Sequence, residues 1–157
     1  MGMYVSFTRM TPAQLEQAAH DPDWAAEYLD AYYGDGGPCD LSGGLDKAWA
    51  GLQFLLDAAE VPVEFLMDGF PIRDDGTLFG WSAEDVRELA KELRAVPFER
   101  LAAHYDPARM AAEGVYPNVW EFRPEEELDH LRGSYESLVG FLDSAAASGS
   151  AAVMTFG

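Results

Sequence analysis

Tyr4 to Arg9 alternate apolar and polar side chains, the period of two that suits a half-buried strand. Thr11-Pro12-Ala13-Gln14 then predicts a helix start. Thr11 can accept from the first free amides, Pro12 fits the first turn, and Gln14 completes a capping box. Asp21-Pro22 opens a second helix, expected to bury Trp24, Tyr28, Leu29 and Tyr32. Glycines crowd the chain from Gly34 to Gly44, together with Pro38 and Ser42, so this stretch reads as a loop.

Helical periodicity is strongest from Leu45 to Ala59, where Leu45, Trp49, Leu52, Leu55, Leu56 and Ala59 share one face. Val61 to Phe70 is apolar but interrupted by Pro62 and Gly69, and is expected to be irregular. Ile72 and Leu78-Phe79 flank Asp74-Asp75-Gly76, a hairpin turn signal. Gly80-Trp81 ends that strand, and Ser82 caps a helix carrying Val86, Leu89, Ala90 and Leu93. Pro97 and Asp106-Pro107 open two short helices, and Gly114 closes the second. Val115-Tyr116-Pro117 is expected to be extended, because a residue preceding proline avoids the helical region.

A long helix is predicted from Pro124 to Ala147. Glu125, Glu126 and Glu127 sit where the helix dipole favours negative charge. Leu128, Leu131, Tyr135, Leu138, Phe141 and Leu142 form its buried stripe. Gly149 supplies the C-cap and Ala151 to Phe156 a final strand. Together these elements predict an α/β chain of the α+β type, one compact domain over residues 1–157. Its small sheet would be built from the N-terminal, central and C-terminal strands and packed by several helices, the longest near the C-terminus.

Composition adds limits to this picture. A chain of 157 residues, 48% hydrophobic and with four tryptophans, can bury a core without disulfides or structural metals. Cys39 is the one cysteine, which rules out an intramolecular disulfide and suits a reducing compartment. It also lacks a neighbouring histidine or basic residue to make it reactive. No basic segment precedes an apolar run at the N-terminus, and no window approaches the roughly 20 apolar residues of a membrane span. The expectation is a soluble cytoplasmic protein.

Charge changes the picture most. There are 28 acidic and 10 basic residues, a net charge of −18. No basic stripe could neutralise phosphates, which excludes direct nucleic-acid binding and disfavours anionic membranes. The same field would speed encounter with a basic protein partner, or serve solubility alone.

From Leu45 the sequence runs Leu45-Asp46-Lys47-Ala48-Trp49-Ala50-Gly51-Leu52-Gln53-Phe54-Leu55-Leu56, which resembles the most specific segment of the YfbM-like family, an uncharacterised bacterial family. The Met1-Gly2-Met3 start, Gly80 before a capped helix, and Val115-Tyr116-Pro117 with Trp120 also match. So does the long last helix running into Gly149-Ser150-Ala151-Ala152-Val153, so the resemblance spans nearly the whole chain. It implies a compact α/β fold, a bacterial cytosolic setting and no established activity. Some members carry histidine where this chain has Gln53, so no obligatory imidazole is implied there.

Candidate chemistry gathers in two places. Asp46 and Lys47, beside Trp49, follow the glycine loop. They would line a ligand pocket, or else Asp46 caps the helix and Trp49 fills the core. Tyr116, Pro117 and Trp120 cluster in a non-helical stretch, as anchors of a protein contact, as walls of a cleft or as a lid on the core. Asp46, Lys47, Trp49, Tyr116 and Trp120 are therefore the candidate ligand- or partner-binding residues.

Elsewhere the motifs are incomplete. Ser42-Gly43-Gly44 lacks both the lysine-serine ending of a phosphate loop and a dinucleotide fingerprint. His20, His104 and His130 have no metal-ligand spacing, and Asp74-Asp75-Gly76 is too short for a calcium loop. No metal or cofactor is expected, and no catalytic residue is assigned. Two active roles remain: an acidic binding or interaction protein, of the inhibitor or immunity kind, that meets a basic partner; and an enzyme or sensor with a small-molecule pocket at Asp46-Lys47-x-Trp49. A domain whose acidity serves only solubility is the third alternative.

Overall fold

The computed structural model describes the backbone of residues 5–34 and 42–156 and the side chains of residues 5–29 and 47–156. Among the described residues, five strands form one antiparallel sheet: β1 (Val5–Met10), β2 (Ser42–Asp46), β3 (Phe70–Pro71), β4 (Leu78–Trp81) and β5 (Ala151–Phe156). Their order is β2-β1-β5-β4-β3, so the last strand in sequence is the centre of the sheet. That position explains its composition: Ala151, Ala152, Val153 and Met154 are all buried, because both faces of β5 are covered.

The period of two separates two cores. Ala152 and Met154 join a large cluster with Phe7, Leu52, Leu55, Phe65, Trp81, Leu131 and Phe141. Ala151 and Val153 face a smaller one with Met10, Leu15, Ala18, Leu29 and Leu78. Helices α1 (Pro12–His20) and α2 (Pro22–Gly34) cover the smaller cluster. The other face carries α3 (Trp49–Ala58), α4 (Ala83–Arg94), α5 (Phe98–Ala102), α6 (Pro107–Ala112) and α7 (Pro124–Ala147). Among the described residues, no helix is long and apolar enough to cross a membrane.

Local chemistry sets most boundaries as expected. Thr11 and Gln14 close a capping box on α1, and Ser82 and Asp85 close another on α4. Asp106 caps α6, and α7 runs from Pro124 to Ala147 with three glutamates in its first turn. Gly149 follows α7 at φ 67°, a conformation that glycine adopts without penalty.

Three expectations fail. Ser42 to Asp46 is a strand, so the glycine-rich stretch is not all loop, and the helix begins at Trp49 rather than Leu45. The free edge of β1 supplies partners for Ser42, Gly43, Gly44 and Asp46, and this ladder overrides the helical spacing of Leu45. Val115-Tyr116-Pro117 is not extended. It folds into a turn with a cis Tyr116-Pro117 bond, in which the Asn118 amide donates to the Val115 carbonyl at 2.8 Å. The hairpin forms where expected, with the Ile72 amide donating to the Leu78 carbonyl at 2.8 Å across the Asp74-Asp75-Gly76 turn, and its paired first arm is Phe70–Pro71, with Phe70 opposite Gly80. The Phe70 ring lies on Gly80, where a Cβ would come within 2.3 Å of it. The Tyr32 side chain, Cys39 and the Met1-Gly2-Met3 start lie outside the described residues.

Candidate functional site

Trp120 is the deepest of the sequence-predicted residues, at 1% exposure. Its indole Nε1 donates to the Val115 carbonyl at 2.8 Å, so the turn before α7 folds back and satisfies its own tryptophan. The ring runs across α3 at Gly51, where a Cβ would stand 2.6 Å from it. Trp120 is thus a core residue that locks the 115–123 segment beneath α3.

Trp49 packs against the main core, as its helical spacing suggests, but only its inner part is buried. It is half-buried, stacks on Tyr116 with ring centroids 6.1 Å apart, and meets Phe156 edge-on at 5.1 Å. It therefore ties the start of α3 to the cis-proline turn and to the end of β5. The N-cap of α3 is Ala48 with no side-chain cap, so Asp46 does not cap this helix. The side chain of Asp46 lies outside the described residues.

Lys47 and Trp120 line one open cleft of about 450 Å³, with Ala48, Pro117, Val119, Glu126, Glu127 and His130. Trp49 and Tyr116 do not line this cleft; Trp49 lines a separate one of about 250 Å³ with Gln53, Asp57, Glu64, Leu66 and Met67. Glu126 also pairs with Arg123 at 3.4 Å. Beneath, the Tyr105 hydroxyl donates to the Pro124 carbonyl at 2.6 Å and pins the start of α7. Burial pushes the Tyr105 phenol up to about 12, with the nearby Glu127 charge adding to the effect. The cleft offers a cation, two carboxylates and an imidazole over an apolar floor. That set can bind a small polar molecule.

His20 and His104 lie exposed at helix ends, away from this cleft. Among the described residues, no group of three or more His, Cys, Asp or Glu side chains is placed to hold a metal ion.

Two features escaped the sequence reading. The Gln53 amide donates to Asp57 at 2.9 Å and to the Val63 carbonyl at 2.7 Å, and accepts from the Phe65 amide at 2.9 Å. One side chain thus clamps the irregular 61–69 segment onto α3. The only sequence signal was a polar residue amid an apolar helix, and a polar residue there reads equally well as surface. The second feature is an acidic groove beside α4, lined by Asp68, Asp85, Glu88 and Glu92. These residues are separated in sequence by the hairpin, and only the fold brings them together.

Residues 1–155 match the family profile described as Domain of unknown function (DUF1877). Among solved structures, the chain is similar to YfbM from Escherichia coli, a protein of unknown function, with a TM-score of 0.69 and 17% identity over 98% of this chain and 99% of that one. At that identity the likeness shows a shared fold. No curated protein matches the chain.

Proposed function

The chain belongs to the DUF1877 family, whose function is not known, and we propose that it is an interaction protein engaging a basic protein partner through its acidic surface. The observation that carries this reading is where the carboxylates lie. Among the described residues every Asp and Glu is exposed except Asp85, Glu127 and Asp143, which are half-buried. Ion pairs engage only Asp23, Glu99, Glu113, Glu126 and Asp143 among them. Each of these pairs joins one acid to one base, so the net −18 of the chain is left unchanged and repels itself. A basic partner relieves that repulsion and is steered by the field. Phe122 at 80% exposure and Met67 at 74% offer apolar contact among these charges. A bacterial cytoplasmic setting is part of the same proposal.

The test is stopped-flow association with the basic protein captured from cell extract, across a range of ionic strength. Association should slow steeply as salt rises. A rate indifferent to salt would remove the reading.

A second reading has its own support in the meeting of Lys47, Trp120 and His130 at one cleft. There the protein would hold a small polar molecule. Lys47→Ala should then abolish binding of whatever small molecule co-purifies; an unchanged bound mass in that variant would dismiss the cleft.

A further inference from the structure

We propose that a lysine or arginine side chain of the basic partner docks in the small cavity between α3 and the 64–67 segment, with Trp49 and Met67 as apolar walls and Asp57 and Glu64 as counter-charges. This placement rests on the interaction reading above and gives it a location. The cavity holds about 250 Å³ and is lined by Trp49, Gln53, Asp57, Glu64, Leu66 and Met67. Ordinary small-molecule pockets run from roughly 300 to 1,000 Å³, so this one suits a single long side chain.

The fold holds these walls in place. Trp49 stacks on Tyr116 and meets Phe156 edge-on, which fixes its ring. Asp57 accepts from the Gln53 amide at 2.9 Å, and Gln53 is itself anchored to the Val63 carbonyl and the Phe65 amide. The clamp that ties the 61–69 segment to α3 therefore also sets Glu64 against Asp57 across the cavity. The backbone of Glu64 is held as well: its amide donates to Asp68, and its carbonyl accepts from the Met67 and Asp68 amides. Walls fixed before the ligand arrives reduce the ordering cost of binding.

The independent observation is Met67. Among the described residues three large apolar side chains are exposed, Met67, Phe70 and Phe122, and Met67, at 74% exposure, stands at this cavity. A thioether adapts its shape to whatever packs on it. Asp57 and Glu64 are both exposed and form no ion pair among the described residues, and no lysine or arginine lines the cavity. The carboxylates call for a cation, and the apolar walls call for an aliphatic stem. Lysine and arginine side chains carry both. A metal ion brings the charge without the stem, and an anion would be repelled.

The experiment is an NMR titration of the full chain, labelled at its methionine methyls and tryptophan indoles, with an arginine-rich hexapeptide. The Met67 methyl and Trp49 indole peaks are assigned by their loss in Met67→Leu and Trp49→Phe. Both should move on binding, and a hexapeptide with citrulline in place of arginine should leave them still. Asp57→Asn/Glu64→Gln should weaken affinity about fivefold or more. Glu16→Gln/Glu136→Gln, with the same change in net charge at exposed positions outside the cavity, should weaken it less than about twofold. Equal losses in both double variants, stationary peaks while the arginine peptide binds, or equal movement with the citrulline peptide would overturn the cavity and leave the broader interaction reading standing. Spermidine that moves the same peaks at lower concentration than the peptide would assign the cavity to a free polyamine and overturn the protein side chain as occupant. Failure of the arginine peptide to bind at low salt would overturn the cavity as well, whereas the interaction reading itself falls only on salt-indifferent association with the captured partner.

Discussion

Gln53, Trp120 and Tyr135 each tie segments that the sequence alone leaves unconnected. Replacing Gln53 by leucine leaves the Val63 carbonyl and the Phe65 amide without their partner. Unfolding by denaturant should then show a loss of about 1–3 kcal/mol, with faster amide exchange at Phe65. Trp120→Ala should cost about 3–5 kcal/mol, as the loss of a fully buried ring does, and Trp49→Ala clearly less. Equal losses would mean that Trp49 is core after all. The sequence leaves the ranking open: helical spacing places Trp49 on the apolar face of α3, and Trp120 reads as anchor, cleft wall or lid on the core. It carries no mark of the turn that drives Trp120 underneath. Of the five candidate residues, Lys47 and Trp120 meet at one cleft, and Trp49 and Tyr116 stack on each other without lining it. Their grouping was legible in the sequence as two clusters, and their mutual distance was not.

Tyr135 carries a pH dependence. Its hydroxyl is shared between the Leu93 and Val96 carbonyls at 3.0 and 2.6 Å, and closes the end of α4 onto α7. Burial pushes this phenol from 10 up to about 12, against an opposing pull from Arg100. The unfolded chain therefore releases this proton first. The stabilising effect is complete below about pH 10 and is lost as pH climbs towards about 12. Tyr135→Phe should flatten that alkaline loss while lowering stability by about 1 kcal/mol at neutral pH, read from denaturant midpoints across the pH series.

At the scale of elements, α3 and α7 approach closely because Gly51 has no side chain. A Cβ there would meet Trp120 at 2.6 Å and Leu131 at 2.9 Å. Gly51→Ala should therefore destabilise by about 1–3 kcal/mol in thermal unfolding, although alanine is the better helix former. A stabilised variant would show that this contact is looser than drawn. Capping residues and long apolar stripes were legible here: Thr11, Ser82, Asp106 and the stripe of α7 all act as the sequence indicates. β2 was not, because its stability comes from the β1 edge and not from the residues Ser42 to Asp46 themselves. At Tyr116-Pro117 the rule that a residue before proline avoids the helical region does not register the bond from the Asn118 amide to the Val115 carbonyl that closes the turn.

At the scale of the whole molecule, most acidic side chains among the described residues stand outside ion pairs. The sequence supplied that charge, and the fold brings Asp68, Asp85, Glu88 and Glu92 to one groove beside α4. The central claim is that this charge exists to meet a basic protein. Native mass spectrometry of the protein captured gently from its own cells, in low and in high salt, tests that most directly. The account predicts a stoichiometric complex with a basic protein that salt releases. A complex with an acidic or neutral protein that persists through high salt would contradict it, as would a chain that carries only a small molecule.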